Sequence, residues 1–212
     1  MCGYVTFYKY ISENVLTYCC ATFTKIMNLF LLSVSPRRAV RLYGQRHVIK
    51  MVLEACQLMN NVYHIHECSI KPCTYRPTHM RHPWSIWASR RKRNFIILGA
   101  FAIAMCVEFR RRRGKPHKCE QQIISMIETP PVYNKALRPK YAVTTRMGKV
   151  GKVRVPLCMP ETFHTKHAVQ AYRKYYVHKM TELAHRDGWK KDYPLGRSHF
   201  VGVALLSRYN PT

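Results

Sequence analysis

Apolar residues recur every three or four positions between Pro36 and about Asn61, and this spacing predicts a helix with one buried face. Ser35-Pro36 predicts its start, because a serine hydroxyl caps helices and proline fits their first turn. The apolar run 27–34 comes before it, and its length suits a buried strand. The first third of the chain is therefore predicted to be a short strand followed by a long helix.

A second long helix is predicted from Pro83 to about Arg112, with the apolar run 95–107 at its centre. Gly114 follows the last helical residues, where glycine commonly ends a helix. Arg110 to Arg113 fill the last turn, where they cap the helix dipole and can also contact phosphate. Weaker patterns follow: a short helix over 119–128, a basic loop with extended pieces over 132–158, and a helix from Thr165 to about Asp187.

These patterns predict a mainly α protein, a small single-domain helical bundle with one or two short strands. We expect an N-terminal extension over 1–26, a helical domain over 27–190 and a C-terminal tail over 191–212. The tail contains one apolar run, 200–206, that is a candidate edge strand. A translation start at Met27 would leave residues 1–26 out of the protein.

The composition indicates a folded protein with an anionic partner. The chain has 212 residues and is 47% hydrophobic, which separates it from disordered polycations. Its 36 Lys and Arg against 10 Asp and Glu give a net charge of +26. Because the basic residues alternate with aromatic ones, the pattern favours nucleic acid, with DNA as the expected partner, over a membrane surface or an acidic protein.

The nine cysteines are an odd number, and several fall within apolar helical patterns. The run 95–107 is shorter than the ~20 apolar residues that a bilayer requires. No secretory signal is recognised in residues 1–26, so we expect a reducing intracellular compartment. A zinc finger would need a longer spacer than the five residues between Cys73 and His79. We predict no metal and no cofactor.

Two groups of polar residues are candidates for a functional site. The segment 75–95 combines imidazoles, indoles and cations at the start of the second helix, which suits an anionic, planar ligand. His47, Lys50 and Glu54 are spaced three and four apart and share one side of the first helix. The structural alternatives are a solvated helix start and an ordinary surface ion pair.

Several kinds of chemistry lack their sequence signatures: no Gly-rich phosphate loop, Gly-x-Ser-x-Gly or His-Glu-x-x-His motif is present. The few carboxylates disfavour a two-metal nuclease centre. Acid–base chemistry by His, Lys, Tyr and a few Glu remains.

Short motifs are spread over most of the chain: Met27-Asn28-Leu29-Phe30, His47-Val48-Ile49-Lys50, Arg76-Pro77-Thr78-His79, His82-Pro83-Trp84-Ser85-Ile86-Trp87, Arg113-Gly114-Lys115-Pro116-His117, Cys158-Met159-Pro160 and Ala171-Tyr172-Arg173-Lys174-Tyr175-Tyr176. With these motifs, residues 27 to about 190 resemble a family of small proteins of bacteriophages and other large DNA viruses. For a viral protein, the expected location is the site of viral DNA replication in the host cell.

More distantly, the order of elements resembles the phage-type pyrimidine-dimer DNA glycosylase/AP lyase. That resemblance implies a small helical fold that flips a base out of duplex DNA and uses an amine to form a Schiff base. The chain departs from that family in two ways. Residues 1–26 precede the matching strand, and a basic residue, Arg41, stands near the position of the family's first-helix glutamate. Lys50 is the alternative amine.

We therefore expect a viral DNA-processing protein, a repair-glycosylase-like or base-modifying enzyme. The predicted catalytic residues are His47, Lys50, Glu54, His79 and His82. The predicted nucleic-acid-binding residues are Arg76, Arg81, Trp84, Trp87, Arg90, Arg91, Asn94, Lys115, Tyr172 and Arg173. The main alternative is a non-enzymatic basic nucleic-acid-binding protein, and a third is an enzyme that acts on free nucleotides. The hypothesis requires the residues around Pro83 to converge with the first helix in one cationic pocket.

Overall fold

A computed structural model describes residues 29–134 and 145–187, with side chains through residue 182. The predicted extension over 1–26, the tail over 191–212 and the candidate strand over 200–206 lie outside the described residues.

The described chain is mainly helical and carries one small sheet, which confirms the predicted fold class. Its two strands pair antiparallel, with Val150 opposite Val153 at the turn. The elements are α1 (Pro36–Arg41), α2 (Gln45–Ile65), α3 (Pro83–Ser89), α4 (Lys92–Arg113), α5 (Glu120–Glu128), β1 (Met147–Val150), β2 (Val153–Pro156), a 3-10 turn (Glu161–Phe163) and α6 (Ala168–Asp187).

The helix predicted from Ser35 to Asn61 is in fact two helices, α1 and α2, separated at residues 42–44. Gly44 is the N-cap of α2 and has extended backbone, with ψ 157°. The buried Tyr43 hydroxyl donates to the Phe30 carbonyl at 2.6 Å and accepts from the Phe30 N–H at 3.0 Å. Apolar periodicity did not show this break, because the apolar positions continue on both sides of it.

The strand predicted over 27–34 is not present in the described part of that run. Residues 29–32 are buried but belong to neither strand of the sheet. The Tyr43 hydroxyl bonds both backbone groups of Phe30, as a neighbouring strand would. An apolar run of this length predicts burial more reliably than it predicts strand pairing.

The helix predicted from Pro83 to Arg112 is also two helices, α3 and α4. Arg91 is extended, with φ −152°, and interrupts the helical backbone. The break is stabilised by Asn94, whose side-chain amide donates to the Trp87 carbonyl at 2.8 Å. The predicted end is confirmed, because Gly114 adopts the left-handed conformation with φ 68°.

The core lies mainly between α2 and α4, which run antiparallel. At one end Arg112 of α4 donates to the Tyr43 carbonyl, just before α2, at 2.8 Å. At the other end the rings of Tyr63 and Phe95 meet at 5.8 Å. We call these the Tyr43 end and the Tyr63 end of the bundle.

The hairpin and α6 pack together on the bundle. Gly148 of β1 lies against Ala168, the first residue of α6. The predicted cap, Thr165, instead donates to the His167 carbonyl at 2.8 Å, and the helix begins at Ala168, two residues later than a cap at Thr165 predicts. The Tyr176 hydroxyl of α6 accepts from the Gly44 N–H at 2.7 Å, which brings α6 to the Tyr43 end.

Candidate functional site

The predicted catalytic histidines lie at two separate ends of the bundle. His47 is in the first turn of α2, and Asn61 is in its last turns, 14 residues later. At 1.5 Å per residue, this separation is about 21 Å along the helix. The Asn61 amide donates to the Thr78 carbonyl at 2.8 Å, which places the segment before α3, with His79 and His82, at the Tyr63 end. His47 therefore does not share one pocket with His79 and His82, contrary to the expected convergence.

At the Tyr43 end, His47 is buried and hydrogen-bonded. Its Nδ1 lies 3.1 Å from the Tyr176 hydroxyl, which also accepts from the Gly44 N–H. The hydroxyl oxygen has two lone pairs, so beside the Gly44 N–H it can also accept from Nδ1–H, in the tautomer that leaves Nε2 with the free lone pair. The Phe30 ring packs edge-on to His47 with centroids 5.1 Å apart. Contacts from two distant parts of the chain thus fix this ring.

Lys50 and Glu54 form the predicted ion pair, with Nζ 3.0 Å from Oε1. The Lys50 side chain is 66% exposed, whereas that of Glu54 is 6% exposed. The role of Lys50 as an activated amine depended on its burial, so the structure removes the basis for that role. Glu54 is seven residues from both His47 and Asn61, so it lies midway along the same side of α2, about 10 Å from each.

At the Tyr63 end, the two histidines of the His-Pro segment differ in their surroundings. His82 is buried as the N-cap of α3, and its Nδ1 accepts from the Trp84 N–H at 3.2 Å. His79 is exposed, and its backbone is left-handed with φ 51°. Its Nδ1 lies 2.9 Å from the Thr78 hydroxyl. The capping contact gives His82 a structural role that does not require a ligand.

The two tryptophans are part of the core. Trp84 is 0% exposed and Trp87 is 3% exposed, and their rings meet edge to face at 5.3 Å. Asn94 is also buried and caps the α3–α4 break. Tyr172 is buried and accepts from the Cys158 N–H at 2.7 Å. Stacking on a base, or contact with nucleic acid, would require these side chains to leave the core.

The predicted cationic contacts are mostly on the surface. Arg173 is the exception, because it is partly buried and its Nε donates to the Leu32 carbonyl at 2.8 Å. Lys115 follows α4 at the Tyr43 end. The exposed predicted cations of the Tyr63 end are Arg76, Arg81, Arg90 and Arg91.

A second basic surface lies at the Tyr43 end. Its cations at the end of α4 were predicted from the sequence, but those of α1 were not. Arg112 donates to the Tyr43 carbonyl and, at 3.2 Å, to the Arg41 carbonyl, so the last turns of α1 and α4 meet there. We call the exposed cations of these turns the Tyr43-end basic cluster: Arg38, Arg41, Arg110, Arg111, Arg113 and Lys115. Only a tertiary contact brings α1 to α4, and no sequence signal predicted it.

The acidic residues near this cluster are turned inward. Glu108 is buried and bonds Arg112, at 2.6 Å, and Arg111. Burial alone would raise the pKa of Glu108, but the hydrogen bonds from Arg111 and Arg112 outweigh it and lower that pKa. Glu120 is also buried and pairs with Arg110. These carboxylates neutralise cations from within and leave little negative charge on this surface.

Within 29–134 and 145–187, no group of three or more His, Cys, Asp or Glu side chains has the arrangement of a metal site. In the same ranges, every helix is too short or too polar to cross a bilayer. Comparisons of the chain with protein-family models, with curated proteins and with solved structures find no match.

Proposed function

We propose that this protein binds DNA and acts on a base in it, as a repair-glycosylase-like or base-modifying enzyme. The observation that carries the proposal is the oriented His47 imidazole beside the Tyr43-end basic cluster. In this proposal the cluster binds phosphates and His47 transfers a proton. The distant resemblance of the order of elements to the phage-type pyrimidine-dimer DNA glycosylase/AP lyase agrees with it.

Electrostatics support the DNA partner. The net charge is +26, and the three buried described carboxylates, Glu54, Glu108 and Glu120, each pair with a cation. The surface therefore carries a large excess of arginine and lysine. Such a surface attracts a polyanion and releases its counterions on binding.

The spacing of the basic surfaces suits a duplex. Arg91 precedes α4 and Arg113 ends it, so the two ends of this helix are about 32 Å apart. This distance corresponds to roughly nine base pairs at 3.4 Å per step. Arg90 and Arg91 would bind one part of the backbone, while the Tyr43-end basic cluster binds another.

The surroundings of His47 suit proton transfer. A general base is most useful when a second group fixes its ring, and the Tyr176 hydroxyl has that position here. The buried carboxylate of Glu54 lies two turns further along the same side of α2. Trp84 and Trp87 have no part in this version of the proposal, because both are packed in the core.

The phosphate contacts are tested by a triple variant, Arg38→Gln with Arg41→Gln and Arg113→Gln, measured by fluorescence anisotropy on a 20-base-pair duplex. We expect at least tenfold weaker binding and a salt slope that is smaller by about two to three. The matched control removes the same charge from exposed positions of the hairpin: Lys149→Gln, Lys152→Gln and Arg154→Gln. Equal weakening by both variants contradicts a localised site at the Tyr43 end.

The chemical step is tested with His47→Ala on duplex DNA that carries damaged or hypermodified bases. We expect loss of base release or modification with binding kept within about threefold. Borohydride in the same assay traps any Schiff base, and peptide mapping then identifies the amine. Unchanged turnover in His47→Ala excludes this residue as the proton-transfer group.

A non-enzymatic nucleic-acid-binding protein is the second candidate function. The observation that favours it is the capping role of His82, which accounts for one predicted catalytic histidine without chemistry. This candidate predicts salt-dependent DNA binding with no change to any base, in the wild type as in His47→Ala.

A further inference from the structure

Three cysteines from distant parts of the chain meet inside the protein. Cys56 is in α2, Cys73 is in the segment 66–82 that connects α2 to α3, and Cys119 immediately precedes α5. The sulfurs of Cys56 and Cys73 are 3.8 Å apart. The Cys119 sulfur lies 3.6 Å from the Tyr75 hydroxyl. All three are buried, free thiols.

Hydrogen bonding within this group favours a thiolate. The bond with Cys56, aided by His117 and Tyr75 and opposed by burial, lowers the pKa of Cys119 to about 5. The bond with Cys56 also lowers the pKa of Cys73, while the pKa of Cys56 itself is raised. Cys56 is thus the thiol that donates, and its neighbours are the sulfurs that accept.

Cys73 is the most accessible of the three thiols, at 6% exposed. It lies in a segment without helix or strand, where local opening costs less than in a packed helix. The Asn60 amide holds this segment against α2 by donating to the Tyr75 carbonyl at 2.7 Å. Cys73 therefore faces Cys56 and is still within reach of a small oxidant.

We propose that Cys56 and Cys73 are a redox-sensitive pair that forms a disulfide when the protein meets a hydroperoxide. The Cys73 thiolate attacks the terminal peroxide oxygen, the O–O bond breaks, and a sulfenic acid and an alkoxide form; the alkoxide takes a proton from water and leaves as the alcohol. The Cys56 sulfur then attacks the sulfenic sulfur and loses its proton, and the hydroxyl leaves as water. Two thiols supply two electrons to one hydroperoxide, and a dithiol reverses the reaction.

The disulfide would join α2 covalently to the segment that carries Arg76, His79 and His82. The disulfide closes the loop between Cys56 and Cys73 and so reduces the conformational entropy of the unfolded chain. The oxidised protein should therefore melt about 5–10 °C higher than the reduced protein. The inference does not require DNA binding, because it rests on the distance between the sulfurs and on the position of Cys73 in its segment.

The test treats the full-length protein with one to ten equivalents of hydrogen peroxide, alkylates the remaining thiols and maps the unreduced peptides by mass spectrometry. We expect a Cys56–Cys73 peptide, two hydrogens lighter than its parts, as the main linked species. The linkage and the higher melting temperature should both disappear after treatment with dithiothreitol.

The matched variants are Cys73→Ala and Cys68→Ala, because both cysteines are buried in the same connecting segment. Cys73→Ala should reduce linkage of Cys56 at least tenfold, whereas Cys68→Ala should leave it unchanged. In Cys56→Ser, a 1,3-dione reagent should trap sulfenic acid on Cys73. The proposal is overturned if the wild type shows no Cys56–Cys73 peptide, or if links to Cys119 or Cys68 form in equal yield.

Discussion

At the scale of single residues, polar side chains in the core hydrogen-bond to backbone groups that lie outside the regular helices or at their breaks. The Tyr43 hydroxyl bonds both backbone groups of Phe30, and the Asn94 amide bonds the Trp87 carbonyl at a helix break. Tyr176 does the same for Gly44 and also orients His47. Each of these contacts satisfies a buried group that would otherwise destabilise the fold.

Tyr176→Phe tests the link between this support and the proposed chemistry. It leaves the buried Gly44 N–H without its hydroxyl partner, so stability should fall by about 1–2 kcal/mol in urea unfolding. Base-directed activity should fall at least tenfold, because His47 loses its orienting bond. Tyr172→Phe is the control, because it removes a comparable buried bond, to Cys158, and should reduce stability without reducing turnover. Equal activity of the two variants would show that Tyr176 does not contribute to the reaction.

Glu108 makes stability depend on pH in the acid range. Its pKa is lowered in the folded protein, so its carboxylate contributes stability that is fully present above the unfolded value, about 4.3. That contribution is lost as the pH falls through the lower folded pKa. Glu108→Gln should cost about 3 kcal/mol at neutral pH, because the Arg112 guanidinium is left without its charge partner.

Unfolding by urea between pH 3 and 7 measures this effect. The wild type should lose stability below about pH 4.5, and Glu108→Gln should show a shallower decline. Glu161→Gln, which removes an exposed carboxylate, controls for the change in net charge. Parallel curves for the wild type and Glu108→Gln would contradict the assignment.

At the scale of elements, breaks in the helices distinguish the observed fold from the predicted one. Periodicity correctly identified the apolar segments of α2 and α4, and Gly114 correctly marked an end. It missed the breaks at residues 42–44 and at Arg91, because each is held by a side-chain bond to a buried backbone group, from Tyr43 to Phe30 and from Asn94 to Trp87. Such bonds depend on neighbours that spacing along the chain does not show.

The contact between the hairpin and α6 depends on the absence of a side chain at Gly148. A Cβ there would lie 2.8 Å from Leu157 Cδ2 and 3.1 Å from the Ala168 Cα. The leucine can move, but the helix backbone cannot, so Gly148→Ala should cost about 1–3 kcal/mol. Lys149→Ala, on the exposed neighbouring position, should change stability by less than about 0.5 kcal/mol. Thermal unfolding of both variants checks this, and a neutral Gly148→Ala would show that the hairpin can shift.

At the scale of the whole molecule, the negative charges near the core are paired internally, whereas the excess positive charge is on the surface. The buried carboxylates pair internally, and exposed arginines lie at both ends of α4. This distribution predicts long-range attraction to a polyanion rather than a single deep anion pocket.

The salt dependence of DNA binding measures how many phosphates are contacted. If both basic surfaces engage the same duplex, the slope of log K against log salt should be about −5 or steeper, at −0.9 per contact. A duplex of six base pairs, too short to reach both surfaces, should give about half that slope. A slope near −1 on either duplex would favour an enzyme that acts on free nucleotides.

The sequence by itself determined the mainly helical class, the buried segments and the cationic surface, because these follow from periodicity and composition, which are local or additive properties. Only the tertiary structure decided which polar residues from distant parts of the chain meet. It placed His47 with Tyr176, joined α1 to the end of α4, and buried Trp84 in the core. The packing of two long antiparallel helices explains the difference, because it brings distant segments together. The length of each helix also keeps its two ends about 30 Å apart.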